Sequence, residues 1–220
     1  MTVQLDFLAV LHYWPMLLTG VAWTLALTVL AIVVGLALSV TFAWVRVEGP
    51  RWAAIPVAAY VELLRNTPFI VQLYFIFFGL PELGLRLSPV LASAIALVLN
   101  LGAYSTEIIR AGLSATPKGQ TEAALSLALT RYQVFTRVVL PPAMQKVWPS
   151  LVSQIIIVML GSAVCGQIAT EELNYAANVI SANTFHTFES YIIATVIYLA
   201  LAILIRRLLN WAGPRLIFGG

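Results

Sequence analysis

The sequence predicts an all-α membrane protein with about five transmembrane helices of bilayer-spanning length. Three observations carry that expectation. Hydrophobic residues make up 61% of the 220-residue chain and charged residues only 10%, where a soluble domain carries roughly 25% charged residues. The mean hydropathy is +0.94, so the surface must face something other than water. The charges are also gathered together, which leaves charge-free intervals at 7–45, 66–81, 87–106, 147–170 and 190–205.

Charges are expensive at the centre of a bilayer, and a spanning helix needs about 20 residues at 1.5 Å rise. The N-terminus has no basic region and its first apolar stretch is too long for a cleaved signal, so residues 1–16 are expected as an extracytoplasmic segment before a retained first helix. That helix is placed at about 17–44. The second interval is too short alone and is extended back, to 55–80, bringing Glu62 and Arg65 to a membrane face. Arg65-Asn66-Thr67-Pro68 reads as architecture: Pro68 restricts Thr67 and kinks or starts the span, while Arg65 snorkels. The third helix is expected at 89–112, the fourth at 146–166 and the last at 189–210. The stretch 173–188 lacks charge but carries Asn174, Asn178, Asn183 and His186, and reads as a polar loop or short surface helix. The tryptophans mostly fall near span ends, as an interfacial belt would.

Orientation follows from the basic residues. With the C-terminus inside, eleven of the 12 Lys and Arg residues fall inside and only Arg86 outside, which the positive-inside rule favours. The N-terminus is then extracytoplasmic and the long 113–145 connection cytoplasmic. The single Cys165 excludes an internal disulfide, and His12 and His186 lie too far apart for a histidine metal motif. No phosphate-binding loop of the G-x-x-x-x-G-K-[ST] type occurs, and no paired carboxylates or nucleophile motif supports an enzyme.

Within the connection, Lys118 to Leu129 contains a short helical core after the Pro117/Gly119 break. Thr121 is expected to cap it, with Glu122 in the first turn, and Ala124, Leu125, Ala128 and Leu129 on one side. Such a helix is marginal alone. Its small-residue face suits a groove on another protein, or simply the bilayer surface.

This segment resembles the EAA signature of ABC importer permeases. Glu122-Ala123-Ala124 is followed at the signature's spacing by Ala128 in its glycine position, Val138 in its isoleucine position, and Leu140-Pro141. The resemblance runs from about Gly20 to the last span and is closest to the polar amino acid branch. It is carried there by Tyr60 to Leu73, by Asn100 to Gln120, and by Thr184 to Tyr191. It implies the type I importer permease fold and a coupling helix that docks on a nucleotide-binding subunit. It further implies an ABC ATPase dimer holding ATP and Mg, no cofactor on this chain, and a second permease subunit, identical or related. An extracytoplasmic amino acid-binding protein and the lipid bilayer of the inner membrane complete the set, with no nucleic acid.

Asn100, Tyr104 and Glu107 share one face of the third helix and form a polar stripe that suits an amino or guanidinium group. Interhelical hydrogen bonding is the alternative use, and Glu107 stands three residues from Arg110. In the fourth span many similar permeases carry Lys-Asp-Thr-Ser, where this chain has Leu160-Gly161-Ser162-Ala163. Gly161 leaves space and Ser162 keeps one hydroxyl. The solute site is therefore either changed here or carried by a sister subunit. A passive channel or an assembly subunit is the rival reading, although neither needs a dock for an ATPase.

Overall fold

The structure, a computed structural model, describes residues 5–213 and 215. Helices account for its regular structure, and no strand occurs among the described residues. A short helix α1 (Phe7–Leu11), capped by the Asp6 carboxylate, precedes the first long one. Helix α2 runs over Trp14–Glu48 with a π turn at Ala31–Gly35. Then come α3 (Arg51–Arg65), α4 (Phe69–Leu83), α5 (Pro89–Ser114) and the short α6 (Lys118–Ser126). Helix α7 covers Arg131–Ile168, α8 Leu173–Thr184 and α9 Thr187–Ala212. Four of these are long and apolar enough to cross a membrane, and the bent pair α3/α4 makes a fifth.

Three of the expected spans coincide with long apolar helices that extend slightly past them, and the helices at the other two differ from expectation. The second is not one helix over 55–80. It is two, α3 and α4, whose axes differ by 112° at residues 66–68. Pro68 has no N–H to continue the ladder, and it takes an extended conformation with φ −62 and ψ 138. The last four carbonyls of α3 are each given a side-chain donor, and Glu62 O keeps its backbone bond from Asn66 N at 3.1 Å as well. Asn66 Nδ2 serves Glu62 at 2.8 Å, Thr67 Oγ1 serves Leu63 at 2.8 Å, Gln72 Nε2 serves Leu64 at 2.7 Å and Tyr104 OH serves Arg65 at 3.2 Å. In lipid each of these acceptors left bare costs several kcal/mol, so the bend is held by construction.

The fourth span starts at Arg131, not near 146. Thr130 and Gln133 form a reciprocal capping box that begins the helix inside what the sequence reads as loop. A π turn at Val134–Val139 then absorbs the irregularity ahead of Pro141 and Pro142. Residues 173–184 form a helix, but it is no surface element: Leu173, Ala176, Ala177 and Ile180 are buried against α2 and α9. Trp148 is likewise no belt residue. It is buried, and its Nε1 donates to the Leu209 carbonyl at 3.2 Å.

Helix α5 is the central post. It buries Ala92, Leu97, Leu101 and Ile109 against α2 and against Leu151, Ile155 and Met159 of α7. Close packing of this kind, with small residues at the crossings, holds membrane helices together where lipid is as apolar as the core. Gly102 shows the tolerance: a Cβ there would stand 2.7 Å from the Tyr60 hydroxyl, which donates to Leu99 O at 2.6 Å.

Candidate functional site

The short helix α6 lies between the ends of α5 and α7. It begins at Lys118, and its cap position is Pro117, with φ −60 and ψ 130 and no side-chain cap. The expected Thr121 cap is therefore wrong: proline's preset backbone starts the helix four residues earlier, and Thr121 falls inside it. Ala124 is the buried residue of α6, while Glu122, Ala123, Leu125 and Ala128 are exposed. The four small and apolar residues do not share a face, because the helix ends at Ser126.

Ala128 occupies the signature's glycine position and has φ +58. This left-handed conformation closes the helix: Ala128 N donates to Leu125 O at 3.0 Å and Leu129 N to Ala124 O at 3.3 Å. Backbone handedness thus suits a glycine at this position. An alanine in this region costs about 1 kcal/mol. On either side of it Leu127 is 78% exposed and Tyr132 68% exposed. A cavity of about 370 Å³ separates α6 from the span ends, with Lys118 and Glu122 facing Val47, Leu113 and Phe135. Val138, Leu140 and Pro141 stand partly buried in α7, not in a loop.

The polar stripe of α5 meets the bend. Asn100 Nδ2 donates to Gln72 Oε1 at 3.1 Å, and Gln72 Nε2 also reaches Thr67 O at 3.0 Å. Tyr104 holds the Arg65 carbonyl, and the Arg65 guanidinium lies 5.7 Å from the Tyr104 ring centroid. Glu107 accepts from Arg110 Nε at 3.0 and 3.1 Å and lies 3.6 Å from Arg46 Nη1. Asn100 and Tyr104 thus bind the bend, and Glu107 joins α2 to α5. An almost wholly apolar cavity of about 540 Å³ opens beside them, lined by Tyr60, Leu64, Val71, Phe75, Gln72 and Leu99. On α7, Ser162 is buried and donates to Met159 O at 2.6 Å, whereas a Cβ on Gly161 would meet nothing within 4 Å. Among the described residues no hydrogen bond links these two positions to the Asn100 group.

Two groups escaped the sequence reading. Gln72 is a lone amide in an apolar run four residues after Pro68, and that placement was its only signal. Glu172 is the second of an acidic pair ahead of Leu173, a cap position in retrospect. Among the described residues no cluster of His, Cys, Asp or Glu is arranged to hold a metal ion.

Several helices long and apolar enough to span a membrane, packed around a central post, give the architecture of a multi-pass membrane protein. The chain belongs to the family of binding-protein-dependent transport system inner membrane components, whose model matches residues 31–218. It is therefore a multi-pass inner-membrane protein of the ABC transporter permeases. It is similar to a probable amino-acid ABC transporter permease of Sinorhizobium fredii, 37% identical over 189 residues, covering 86% of this chain and 82% of that one. It is also similar to the arginine transport system permease ArtQ of Bacillus subtilis, 33% identical over 207 residues, covering 92% and 93%. A solved structure described as an amino acid ABC transporter with histidines superposes with a TM-score of 0.86 at 33% identity. That match covers 97% of this chain and all of the other.

Proposed function

We propose that this chain is the permease subunit of an ATP-driven importer that moves a polar amino acid, or a close relative such as a basic amino acid or opine, by alternating access. The observation that carries this is α6: a nine-residue helix, exposed on its Glu122 and Ala123 side, set between two spans and closed by a left-handed turn at the signature's glycine position. Relatives named for arginine, cystine and glutamine transport support the solute class. In this reading Glu122, Ala123, Ala124 and Ala128 meet the ATPase, and Val138, Leu140 and Pro141 carry its movement into α7. ATP and Mg act on that separate subunit. A second permease copy or relative, and an extracytoplasmic binding protein, complete the assembly. The N-terminus lies outside and the C-terminus inside. Asn100, Tyr104 and Glu107 act by shaping the pathway at the bend, and Gly161 and Ser162 contribute to it from α7.

Gly161, standing where many similar permeases carry an acidic residue, favours a second reading, in which this is the non-recognising sister of a heterodimeric permease. Uptake by the reconstituted complex, tested across basic, acidic and amide amino acids and opines, decides between them. Saturable uptake abolished by Glu122→Arg supports the importer. Failure of a P-loop ATPase to co-purify, with uptake intact in Glu122→Arg, would return the chain to the passive channel or assembly subunit.

A further inference from the structure

Two carboxylates are buried among the described residues outside α5, and Glu172 is the one with no exposed surface at all. It caps α8: Oε1 accepts the Tyr175 N–H at 2.8 Å and Oε2 the Asn174 N–H at 2.9 Å. The Tyr198 hydroxyl of α9 donates to the same Oε2. A Cβ on Gly166 would stand 2.8 Å from Oε1, so the carboxylate rests directly on the closing 3₁₀ turn of α7, Ser162–Ile168. Asn174, fixed by that cap, reaches back through Nδ2 to the Ala163 carbonyl at 3.1 Å. Thr24 of α2 accepts from Leu173 N at 3.2 Å, and Ser93 of α5 bonds Thr170 at 2.8 Å. One carboxylate thus joins α8 to α9 and presses both on the end of α7, with α2 and α5 tied to Leu173 and Thr170, which flank the segment after that turn.

We infer that Glu172 is a positioning residue, which fixes the backbone from Gly161 to Gly166 and thereby sets how tightly the transported solute is held there. The inference rests on the importer reading above, with Gly161 and Ser162 on the pathway. A buried carboxylate is stable only when hydrogen-bonded, and its donors are stranded when it is removed. In Glu172→Gln the amide nitrogen faces either a backbone N–H or the Tyr198 hydroxyl. The cap then loses a partner, and Asn174 loosens its hold on Ala163. Tyr198→Phe removes the α9 link and leaves the cap.

Uptake by the complete complex in proteoliposomes, with ATPase and binding protein present, tests this with both variants. The apparent KM for the solute is expected to rise about threefold or more in each, with Vmax per assembled complex held. A residue that only stabilised the fold would lower the amount of complex and leave KM alone. Spin labels at the exposed Gln167 and Asn178 report the geometry in detergent without any transport. Their distance distribution is expected to broaden in Glu172→Gln. An unchanged distribution in both variants overturns the positioning role, and broadening with an unchanged KM overturns its link to the solute. Should the wild type carry no amino acid while the distribution broadens, the solute class fails and the positioning stands.

A third readout uses protons. Burial lifts the Glu172 carboxyl above its ordinary 4.5 despite its three donors. The titratable groups facing it are Tyr198 from α9 and Cys165 from α7, while α2 and α5 present the uncharged Thr24 and Ser93. With a raised folded value, stability is fully present below 4.5 and is lost as pH rises through the folded value. The melting temperature of the wild type relative to Glu172→Gln is therefore expected to fall as pH climbs. A difference that stays flat from pH 4.5 to about 8 overturns the enclosed carboxylate.

Discussion

Pro68 and Pro141 stand in comparable places, each interrupting a helix that the hydropathy would carry straight on, yet the chain turns by 112° at the first and runs on through the second. The difference lies in what happens to the carbonyls. Before Pro141 and its neighbour Pro142, the π turn at Val134–Val139 widens the helix, with Leu140 N donating back to Phe135 O, so the ladder is rerouted. Before Pro68 the chain leaves the helix, and Thr67, Gln72 and Tyr104 take over the three freed carbonyls while Asn66 adds a side-chain donor to Glu62 O, which keeps its backbone bond. A proline removes one donor in either case. The surrounding side chains decide whether the helix bends or continues.

The largest effect is expected at Gln72, which meets four groups across the bend: the Leu64 and Thr67 carbonyls, the Thr67 hydroxyl and the Asn100 amide. Gln72→Leu leaves the Leu64 and Thr67 carbonyls and the Asn100 amide without their partner. It should cost about 3 kcal/mol, read as a lower unfolding midpoint in micelles. If stability is unchanged, the bend is not held by this network. Thr130→Ala removes the side-chain half of the capping box that starts α7, at about 1 kcal/mol. Faster amide exchange over 131–139 should follow, with no change near the bend. Ala128→Gly relieves the left-handed alanine and is expected to stabilise the protein by about 0.5–1 kcal/mol. A loss there would mean the alanine side chain is itself needed. The smallest effect belongs to Arg131→Ala, whose 3.3 Å bond to Glu48 joins a side chain that is 81% exposed. Less than about 0.5 kcal/mol is expected, shrinking further in salt.

A substitution at Gly161 bears on the solute rather than on stability. Gly161→Asp restores the acidic side chain of similar permeases at a position where a Cβ meets open space. Unchanged assembly with a shift of uptake toward cationic solutes is the expected outcome. An unaltered solute preference would remove Gly161 from the pathway.

Much of the fold is legible in the chain, and the places where it is not share a cause. The spans at α2, α5 and α9 follow from apolar length, which the bilayer thickness sets directly. The start of α7 escaped because Arg131 and Arg137 look like loop residues to a charge count, whereas the Thr130/Gln133 box is a local signal such a count ignores. The spacing from Glu122 to Pro141 located α6, but not its first residue or its handed end. The stripe on α5 was correctly placed on one face. What that face meets, a bend and an arginine cluster, depends on residues some 30 to 60 positions away in sequence, as the Asn100–Gln72 and Glu107–Arg46 pairs show.

The sequence by itself determined that the chain lives in a membrane, where three of its long helices lie, and that a short helix sits between two spans. Those follow from the cost of charge in lipid and from local spacing, which neighbouring residues alone express. Only the tertiary structure decided that Pro68 bends the chain while Pro141 does not. It also decided that Ala128 is left-handed, and that Glu172 is enclosed at the meeting of five helices. These depend on which distant donor reaches which freed acceptor, and in a medium without water each such group must find its partner within the protein.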